Sequence, residues 1–235
     1  MRLISQTEVD EYLKDDWILR LLEEVGRPGD EQLAVQQWLA QTPAKRMAFS
    51  ALYGDILGLT SRRRVLDVGG GITALTRVLA QSNDYYVLDI LSHGGQEVAD
   101  ELEAELGRPV LIKADWLSHA RATDGQYDVI IANDIFPNAD QRLELFLKTY
   151  LPRTHELRMS LTFYNEPRFY LCRRVDGDEF LCMLAWDGRQ TGYVLRDRVQ
   201  AIVEPDFSIL NESGSSVFAN GRHVCLVTMI GDSGA

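Results

Sequence analysis

A cluster of three glycines near residue 70 has the spacing of a turn that binds a ligand through its backbone. Apolar residues and Asp67 precede Gly69, Gly70 and Gly71, and an amphipathic stretch follows them. Glycines between a strand and a helix permit a tight bend and the close approach of a ligand. The two outer glycines also fit the dinucleotide fingerprint, so the glycines alone leave the identity of the ligand open.

The carboxylate of Asp67 distinguishes between two kinds of ligand. A pyrophosphate bound at a helix N-terminus would be repelled by a carboxylate two residues before the first glycine. A ligand that carries an ammonium and a sulfonium would instead be attracted to it, and S-adenosylmethionine is such a ligand. Asp67 therefore favours S-adenosylmethionine over a nicotinamide dinucleotide.

Polar side chains follow three further apolar runs, at the points where strands are expected to end. Asp89 could accept hydrogen bonds from both ribose hydroxyls of a nucleoside. Asp115 could accept from an adenine amino group, with Trp116 packed on the ring. Asn133 and Asp134 follow the next run, and ligands of open α/β sheets bind at these carboxyl ends. Asp67, Asp89 or Asp115 alone could instead cap a helix or a loop, but the three acids in order favour ligand binding.

The alternation of short apolar runs with amphipathic stretches predicts the sheet that positions these residues. The runs from Arg64 to Phe163 are unbroken, as in a parallel sheet covered on both faces, and right-handed crossovers then favour a Rossmann-like, doubly wound α/β fold. The first sixty residues instead show helical spacing, and one apolar stripe from Val9 to Val25 predicts a single helix. Residues 168–186 are β-rich around an Asp-Gly-Asp turn and predict a β-hairpin, and residues 207–211 predict a further strand.

These segments together resemble the class I S-adenosylmethionine-dependent methyltransferases. Asp67–Gly71 is similar to the first motif of that family, and Tyr127–Asp134 is similar to its fourth-strand motif. The resemblance covers roughly residues 64–163. It implies a mostly parallel seven-stranded sheet, an N-terminal helical lid in residues 1–60 and a methyltransferase domain in residues 61–235. The predicted hairpin of residues 168–186 departs from the family pattern as an insertion after the fifth strand. With S-adenosyl-L-methionine as the cofactor, the contacts that the resemblance implies are made by Asp67, Gly69, Gly70, Gly71, Asp89, Ile90, Ala114, Asp115, Trp116 and Asn133.

The resemblance also implies methyl transfer to an oxygen or nitrogen atom of a small-molecule metabolite. In such a reaction the protein mainly aligns the acceptor and excludes water, and an oxygen acceptor can also need a general base. Asp134 is the first candidate for that base, followed by Tyr164, His119 and His93. No metal is expected, although a Mg²⁺ ion held by Asp134 with residues 165–166 is an alternative that the sequence leaves open.

The charge and composition of the chain argue against several other classes of function. The chain has 235 residues, of which 46% are hydrophobic, and a net charge of -11. An acidic surface repels phosphate backbones, so a nucleic-acid partner is not expected. The sequence has no run of about 20 apolar residues that could span a bilayer, so a membrane partner is not expected either. Three scattered cysteines predict no disulfide framework, and a cytoplasmic location is expected in the absence of a secretory signal. A small-molecule acceptor is the expected partner, and a homodimer is left open.

Two rival functions are compatible with the same fold. One is an NAD(P)-dependent oxidoreductase or epimerase, against which Asp67 argues, as does the lack of an evident Tyr-x-x-x-Lys pair. The other is a methyltransferase-like module that binds a ligand without catalysis, because the cofactor motifs say nothing about the acceptor side. Titration with both cofactors separates the first rival from the methyltransferase hypothesis.

Overall fold

The strands predicted between residues 64 and 163 form the centre of one sheet. The computed structural model describes residues 1–58, 62–91, 94–173, 180–211 and 214–232. Within these ranges the strands are β1 Arg2–Leu3, β2 Arg64–Val68, β3 Asp84–Asp89, β4 Leu111–Lys113, β5 Tyr127–Asn133, β6 Thr154–Phe163, β7 Arg168–Arg173, β8 Phe180–Ala185 and β9 His223–Ile230. The α-helices there are α1 Gln6–Tyr12, α2 Trp17–Val25, α3 Ala34–Gln41, α4 Pro43–Leu57, α5 Ala74–Ser82, α6 Gln96–Leu106, α7 Trp116–Ala122, α8 Leu143–Tyr150 and α9 Gly188–Arg196.

Seven of the described strands lie in one sheet, in the order β1-β9-β6-β5-β2-β3-β4. Strand β2 pairs in parallel with β3 and with β5, and β4 and β6 extend the parallel part on either side. The chain moves from β2 towards β4 on one side and from β5 towards β6 on the other. The strand order therefore reverses between β2 and β5, and open α/β sheets bind their ligands outside the carboxyl ends of the strands at such a reversal.

Both faces of the sheet are buried, which explains why its central strands are mainly apolar. Along β2, Val65 packs into one core with residues of α1–α6, whereas Leu66 and Val68 pack into a second core with residues of α7 and α8. Successive side chains of a strand point to opposite faces, so each core takes every second residue. A parallel sheet needs this cover on both sides.

An antiparallel edge completes the sheet beyond β6. Strand β9 runs antiparallel to β6, and the short β1 pairs antiparallel with β9 on its other side. Ile202 forms an isolated bridge to Met229 on β9 as well. The strand predicted over residues 207–211 is wrong, because Ser208–Asn211 form a turn of 3-10 helix instead.

The single helix predicted from Val9 to Val25 is two helices. Helix α1 ends at Tyr12, a 3-10 turn follows, and the carboxylate of Asp16 then caps α2. The same carboxylate pairs with the guanidinium of Arg46 on α4, with 2.6 Å between Nη2 and Oδ2. Since the side chain of Arg46 is buried, this ion pair joins the helical segments of the first 57 residues and fixes the position of the break.

Strands β7 and β8 form a separate antiparallel hairpin after β6, which is the fifth strand of the parallel part in chain order. Its turn, including the Asp-Gly-Asp sequence that predicts it, lies at residues 174–179, outside the described ranges. The hairpin exposes apolar side chains, Phe169 and Phe180 among them. In the ranges that the structure describes, no helix has both the length and the apolar character required to cross a bilayer.

Candidate functional site

A cavity of about 350 Å³ lies where the strand order of the sheet reverses. Gly69 and Gly70 line it after the end of β2, and Asn133 and Asp134 line it at the end of β5. Helices α3 and α4 and the segment that leads into β9 supply the remaining walls. The cavity therefore occupies the position from which an open α/β sheet binds a ligand.

The glycine turn joins β2 to α5 through a backbone that glycine adopts readily. Gly69 and Gly71 have φ angles of +69° and +63°, in the left-handed region where a side chain is strained. The backbone N–H of Gly69 donates to the carbonyl of Leu88 at 2.8 Å and ties the turn to β3. A Cβ on Gly69 would lie 2.0 Å from Cδ1 of Ile135, and one on Gly71 would lie 2.6 Å from Cγ2 of Val35. Close approach by the segment after β5 and by α3 therefore requires glycine at both positions.

Asp67 lies behind the glycine turn, enclosed by two tyrosines. Its side chain is buried, and its oxygens accept hydrogen bonds from the hydroxyls of Tyr53, at 2.9 Å, and Tyr85. Burial raises the pKa of Asp67 to about 7, because the two hydrogen bonds offset only part of the lost hydration. Oδ2 also lies 2.0 Å from the point that a Cβ on Gly70 would occupy. Asp67 thus supports the turn from behind, and Tyr53 is the member of this group that lines the cavity.

Asp89 closes β3, where backbone amides on two sides hold its carboxylate. Oδ2 accepts from the N–H of Gly71 at 3.1 Å, and Oδ1 accepts from the N–H of Leu91 at 2.6 Å. An ionised carboxylate has about four acceptor positions, so about two remain at this half-buried site. Ile90 beside it is 52% exposed. The two residues present a carboxylate and an apolar surface at the sheet edge next to the glycine turn.

The segment after β4 carries the residues predicted to contact an adenine. Asp115 caps α7 through the N–H of Leu117 at 3.0 Å, and its other oxygen pairs with Nη2 of Arg142 at 2.8 Å. The guanidinium of Arg142 also lies 4.6 Å from the centre of the buried ring of Trp116. Ala114 is half-buried at the start of this segment. The carboxylate and the ring thus have protein partners of their own, and their role towards a ligand stays a prediction.

The end of β5 brings two polar side chains to the cavity. Oδ1 of Asn133 accepts from the hydroxyl of Ser160 at 2.7 Å, and the same hydroxyl accepts from the N–H of Asp134 at 2.8 Å. Asp134 has a φ angle of +60°, a left-handed conformation that costs a non-glycine residue about 1–3 kcal/mol. Backbone strain of this kind clusters at binding and catalytic sites. Strand β6 thus holds both residues in place.

Two cations that the sequence analysis missed share the carboxylate of Asp134. Nη1 of Arg222, just before β9, donates to both oxygens at 2.9 and 3.1 Å, and Nζ of Lys45 on α4 lies 3.4 Å from Oδ2. Thr162 and Asn138 each donate to Oδ1 at 3.2 Å. The oxygens of Asp134 therefore already accept from several donors of the protein itself. This carboxylate positions both cations at the cavity.

The other predicted acid–base residues lie away from this cavity. His119 on α7 has Nε2 3.2 Å from the hydroxyl of Tyr127, at the start of β5 and so at the opposite edge of the sheet. Burial lowers the pKa of His119. Tyr164 follows β6 and is buried outside the cavity lining. His93 lies outside the described residues. Of the described candidates, the structure brings Asp134 alone to the cavity.

The magnesium alternative finds no cluster of ligands in the described part of the chain. No group of three or more His, Cys, Asp or Glu side chains there is arranged to hold a metal ion. Asn165 and Glu166 are exposed, whereas Asp134 is paired with two cations. The cation positions at Asp134 are thus taken by the protein's own side chains.

The cavity can bind and orient a small molecule through flat apolar walls. The ring of Phe49 stacks on that of Tyr53 with 4.1 Å between centroids, and Trp38 and Phe218 contribute two further aromatic walls. Burial raises the pKa of Tyr53 well above 10, so its hydroxyl is neutral. The described lining thus offers aromatic surface, one carboxylate and two cations rather than an array of acid–base groups.

The chain is similar in its fold to several proteins of known structure. No protein-family model and no curated protein matches the chain. The N-terminal domain of EvdMO1 with SAH bound is similar over 91% of this chain and 95% of that chain, at 15% identity and a TM-score of 0.50. Magnesium protoporphyrin IX methyltransferase from Synechocystis with bound SAM is similar over 97% and 98%, at 16% identity and a TM-score of 0.49. An O-methyltransferase family protein from Burkholderia thailandensis is similar over 97% and 72%, at 16% identity and a TM-score of 0.47.

The fold class that the motifs predict is confirmed. The described sheet has seven strands and is mostly parallel, and its order reverses between β2 and β5. The first of the three structures is similar to it over nearly the full length of both chains. The chain therefore has a Rossmann-like, doubly wound α/β fold.

Proposed function

We propose that the protein is an S-adenosylmethionine-dependent methyltransferase that acts on an oxygen or nitrogen atom of a small molecule. The observation that carries the proposal is the cavity between the glycine turn and the end of β5, at the reversal of the strand order. Its volume of about 350 Å³ lies within the range of small-molecule sites. The fold supports the proposal because cofactor and acceptor then share one edge of the sheet.

The residues along this edge fit the cofactor in two respects. The carboxylate of Asp89 keeps acceptor positions for the two hydroxyls of a ribose after binding two backbone amides. The glycine turn presents backbone without side chains beside it, and Asp67 supports that turn from behind. The residues that would hold the cofactor, directly or through the turn, are Asp67, Gly69, Gly70, Gly71, Asp89, Ile90, Ala114, Asp115, Trp116 and Asn133.

The remaining residues of the cavity would align the acceptor. When bound, S-adenosylmethionine supplies a methyl group attached to a positively charged sulfur. This sulfur is a good leaving group, so the protein need not activate the methyl group further. Phe49, Trp38 and Phe218 exclude water and orient a flat acceptor. Asp134 holds the cations of the cavity in place. Tyr164 and His119 have no part in the proposal, because they lie elsewhere in the fold.

Titration calorimetry with S-adenosylmethionine, S-adenosylhomocysteine and NAD(P) tests the proposal. We expect both adenosyl compounds to bind and Asp89→Ala to weaken binding by about 5- to 150-fold, since the loss of hydrogen bonds to a charged group is worth about 1–3 kcal/mol. Asp89→Asn retains one acceptor oxygen and should lose less. Asp124→Ala removes an exposed carboxylate between α7 and β5 and is the matched control.

Three outcomes would contradict parts of the proposal. Binding of a nicotinamide dinucleotide in place of the adenosyl compounds would favour an oxidoreductase. Equal affinities for wild type and Asp89→Ala would remove the ribose assignment. Tight cofactor binding without methyl transfer to any oxygen or nitrogen acceptor would indicate a module that binds without catalysis.

A further inference from the structure

Two cations and one carboxylate give the cavity a net positive charge. Among the described residues that line it, the charged side chains are those of Lys45, Asp134 and Arg222. Tyr53 lines it too, but burial raises the pKa of its hydroxyl well above 10 and keeps it neutral. One positive charge in the lining therefore lacks a matching carboxylate.

Arg222 is nine-tenths buried, yet it uses one nitrogen of its guanidinium for hydrogen bonds. Its side chain is 9% exposed, and Nη1 donates to both oxygens of Asp134. In the described part of the chain Nε has no hydrogen-bond partner, and no bond from Nη2 is found there. Because Nε is fully buried, Nη2 is the donor of this guanidinium that remains for a ligand in the cavity that Arg222 lines.

Lys45 approaches Asp134 from the wall that α4 forms. Its Nζ lies 3.4 Å from Oδ2 of Asp134 and 4.9 Å from the centre of the ring of Trp38. Burial lowers the pKa of Lys45, the nearby Arg222 lowers it further, and Asp134 offsets part of the effect. A second anion in the cavity would stabilise the charged form of this lysine.

We propose that the methyl acceptor is a small apolar carboxylic acid whose carboxylate binds between Lys45 and Arg222, an inference that rests on the proposed methyltransferase function. A carboxylate supplies both the missing negative charge and two acceptor atoms in one plane. The aromatic walls formed by Phe49, Trp38 and Phe218 fit a flat apolar body. Phe218 also covers one face of the guanidinium of Arg222, whose central carbon lies 4.4 Å from the centre of the ring.

The carboxylate in this proposal serves for recognition rather than as the methylated group. Its oxygens are engaged by the two cations, so the atom that reacts is another oxygen or nitrogen of the same molecule. A lone pair of that atom forms the new bond to the methyl carbon while the carbon–sulfur bond breaks and its electron pair remains on sulfur. The proton of the acceptor atom passes to the bulk solvent when the methylated product leaves the cavity.

Matched acids and amides test the charge requirement directly. We would titrate benzoate, 4-hydroxybenzoate and phenylacetate, each beside its primary amide, by ligand-observed NMR with and without S-adenosylhomocysteine. At least one acid should bind about 10-fold or more tightly than its amide, because charge-assisted hydrogen bonds are roughly twice as strong as neutral ones. The ratio should fall towards one in Arg222→Met and in Lys45→Met. Lys14→Met, which removes an exposed lysine outside the cavity, should keep the wild-type ratio.

Two further measurements keep the test decisive. Arg222→Lys retains the charge beside Asp134 and should fold even where Arg222→Met does not. It loses the second terminal nitrogen, Nη2, so it should lower the ratio several-fold. Equal binding of acids and amides to wild type, or no binding of any acid, would overturn the proposal. So would a fall in S-adenosylhomocysteine affinity in the cation variants with an unchanged acid-to-amide ratio, because the pair would then hold the cofactor's own carboxylate. Failure of wild type to bind S-adenosylhomocysteine would refute the methyltransferase function. The acid-to-amide ratio measured without S-adenosylhomocysteine tests the anion site separately.

Discussion

Replacing Asp67 by asparagine should flatten the dependence of stability on pH between about pH 4 and pH 7. The carboxyl is buried between Tyr53 and Tyr85, and burial raises its pKa from the ordinary 3.8 to about 7. In this interval the folded protein therefore holds a proton that the unfolded chain has released. Because the pKa is raised in the folded state, the protonated carboxyl of Asp67 makes its full contribution to the stability of the fold below about pH 4. That contribution is lost as the pH rises through 7.

The expected size of the effect follows from the shift. A difference of about three pKa units corresponds to about 4 kcal/mol in the free energy of unfolding, at about 1.36 kcal/mol per unit. Between pH 5 and pH 8, the part most easily measured, Asp67 alone should remove about 2–3 kcal/mol from the wild type. Carboxyls such as Asp55, whose pKa a hydrogen bond from Arg158 lowers, act with the opposite sign. They are common to both proteins and cancel in the difference.

Urea unfolding of wild type and Asp67→Asn at pH 5, 6, 7 and 8 measures this difference. The amide of asparagine can accept from one tyrosine hydroxyl and donate to the other, so the hydrogen bonds persist without a charge. The variant should gain about 2–3 kcal/mol relative to wild type between pH 5 and pH 8. Asp124→Asn, at an exposed carboxylate, should follow wild type at every pH. Parallel curves for wild type and Asp67→Asn would refute the reasoning, because Asp67 would then titrate near its ordinary value in the fold.

Two other substitutions test the supports of the cavity. Gly69→Ala should lower the melting temperature by the equivalent of about 1–3 kcal/mol in the free energy of unfolding. The backbone of alanine would be strained at φ +69°, and its Cβ would lie 2.0 Å from Cδ1 of Ile135. An unchanged thermal transition would contradict this close packing. Arg77→Met should cost about 3–5 kcal/mol in urea unfolding, because it leaves the buried carboxylate of Asp30 without its ion pair. The double variant Arg77→Met/Asp30→Asn should recover much of that loss, and a single variant as stable as wild type would disprove the importance of the pair.

The central strands could be predicted from sequence because each contains a mainly apolar run beside the helices that cover it. Strand β5, for example, begins at Tyr127, where the apolar run begins. The edge beside β9 could not be predicted in the same way. It is filled by Arg2–Leu3, a two-residue strand that has no periodicity and lies at the far end of the sequence from β9. The break between α1 and α2 is likewise set by a distant residue, since Asp16 pairs with Arg46 on α4.

The candidate site divides along the same line between local and distant contacts. The glycine turn and Asp89 could be found because each lies at the end of its own strand and uses neighbouring backbone. Lys45 and Arg222 could not, because a single cation in the first turn of a helix or after a tight turn is usually solvated. What brings them together is the carboxyl edge of the sheet, where Asp134 receives both.

The three acids at or near the ends of β2, β3 and β4 show why residue type and position do not by themselves decide a role. Asp67 faces a core and two tyrosines, so its burial and its hydrogen bonds are already complete. Asp115 caps a helix with one oxygen and pairs with Arg142 through the other, so both of its oxygens are engaged. Asp89 accepts from two backbone amides and has no cation partner among the described residues, so its charge and part of its acceptor capacity are available to a ligand. The same residue type thus serves as a support, a cap and the strongest candidate for a cofactor contact, and what differs is the number of donors that the fold has already placed around it.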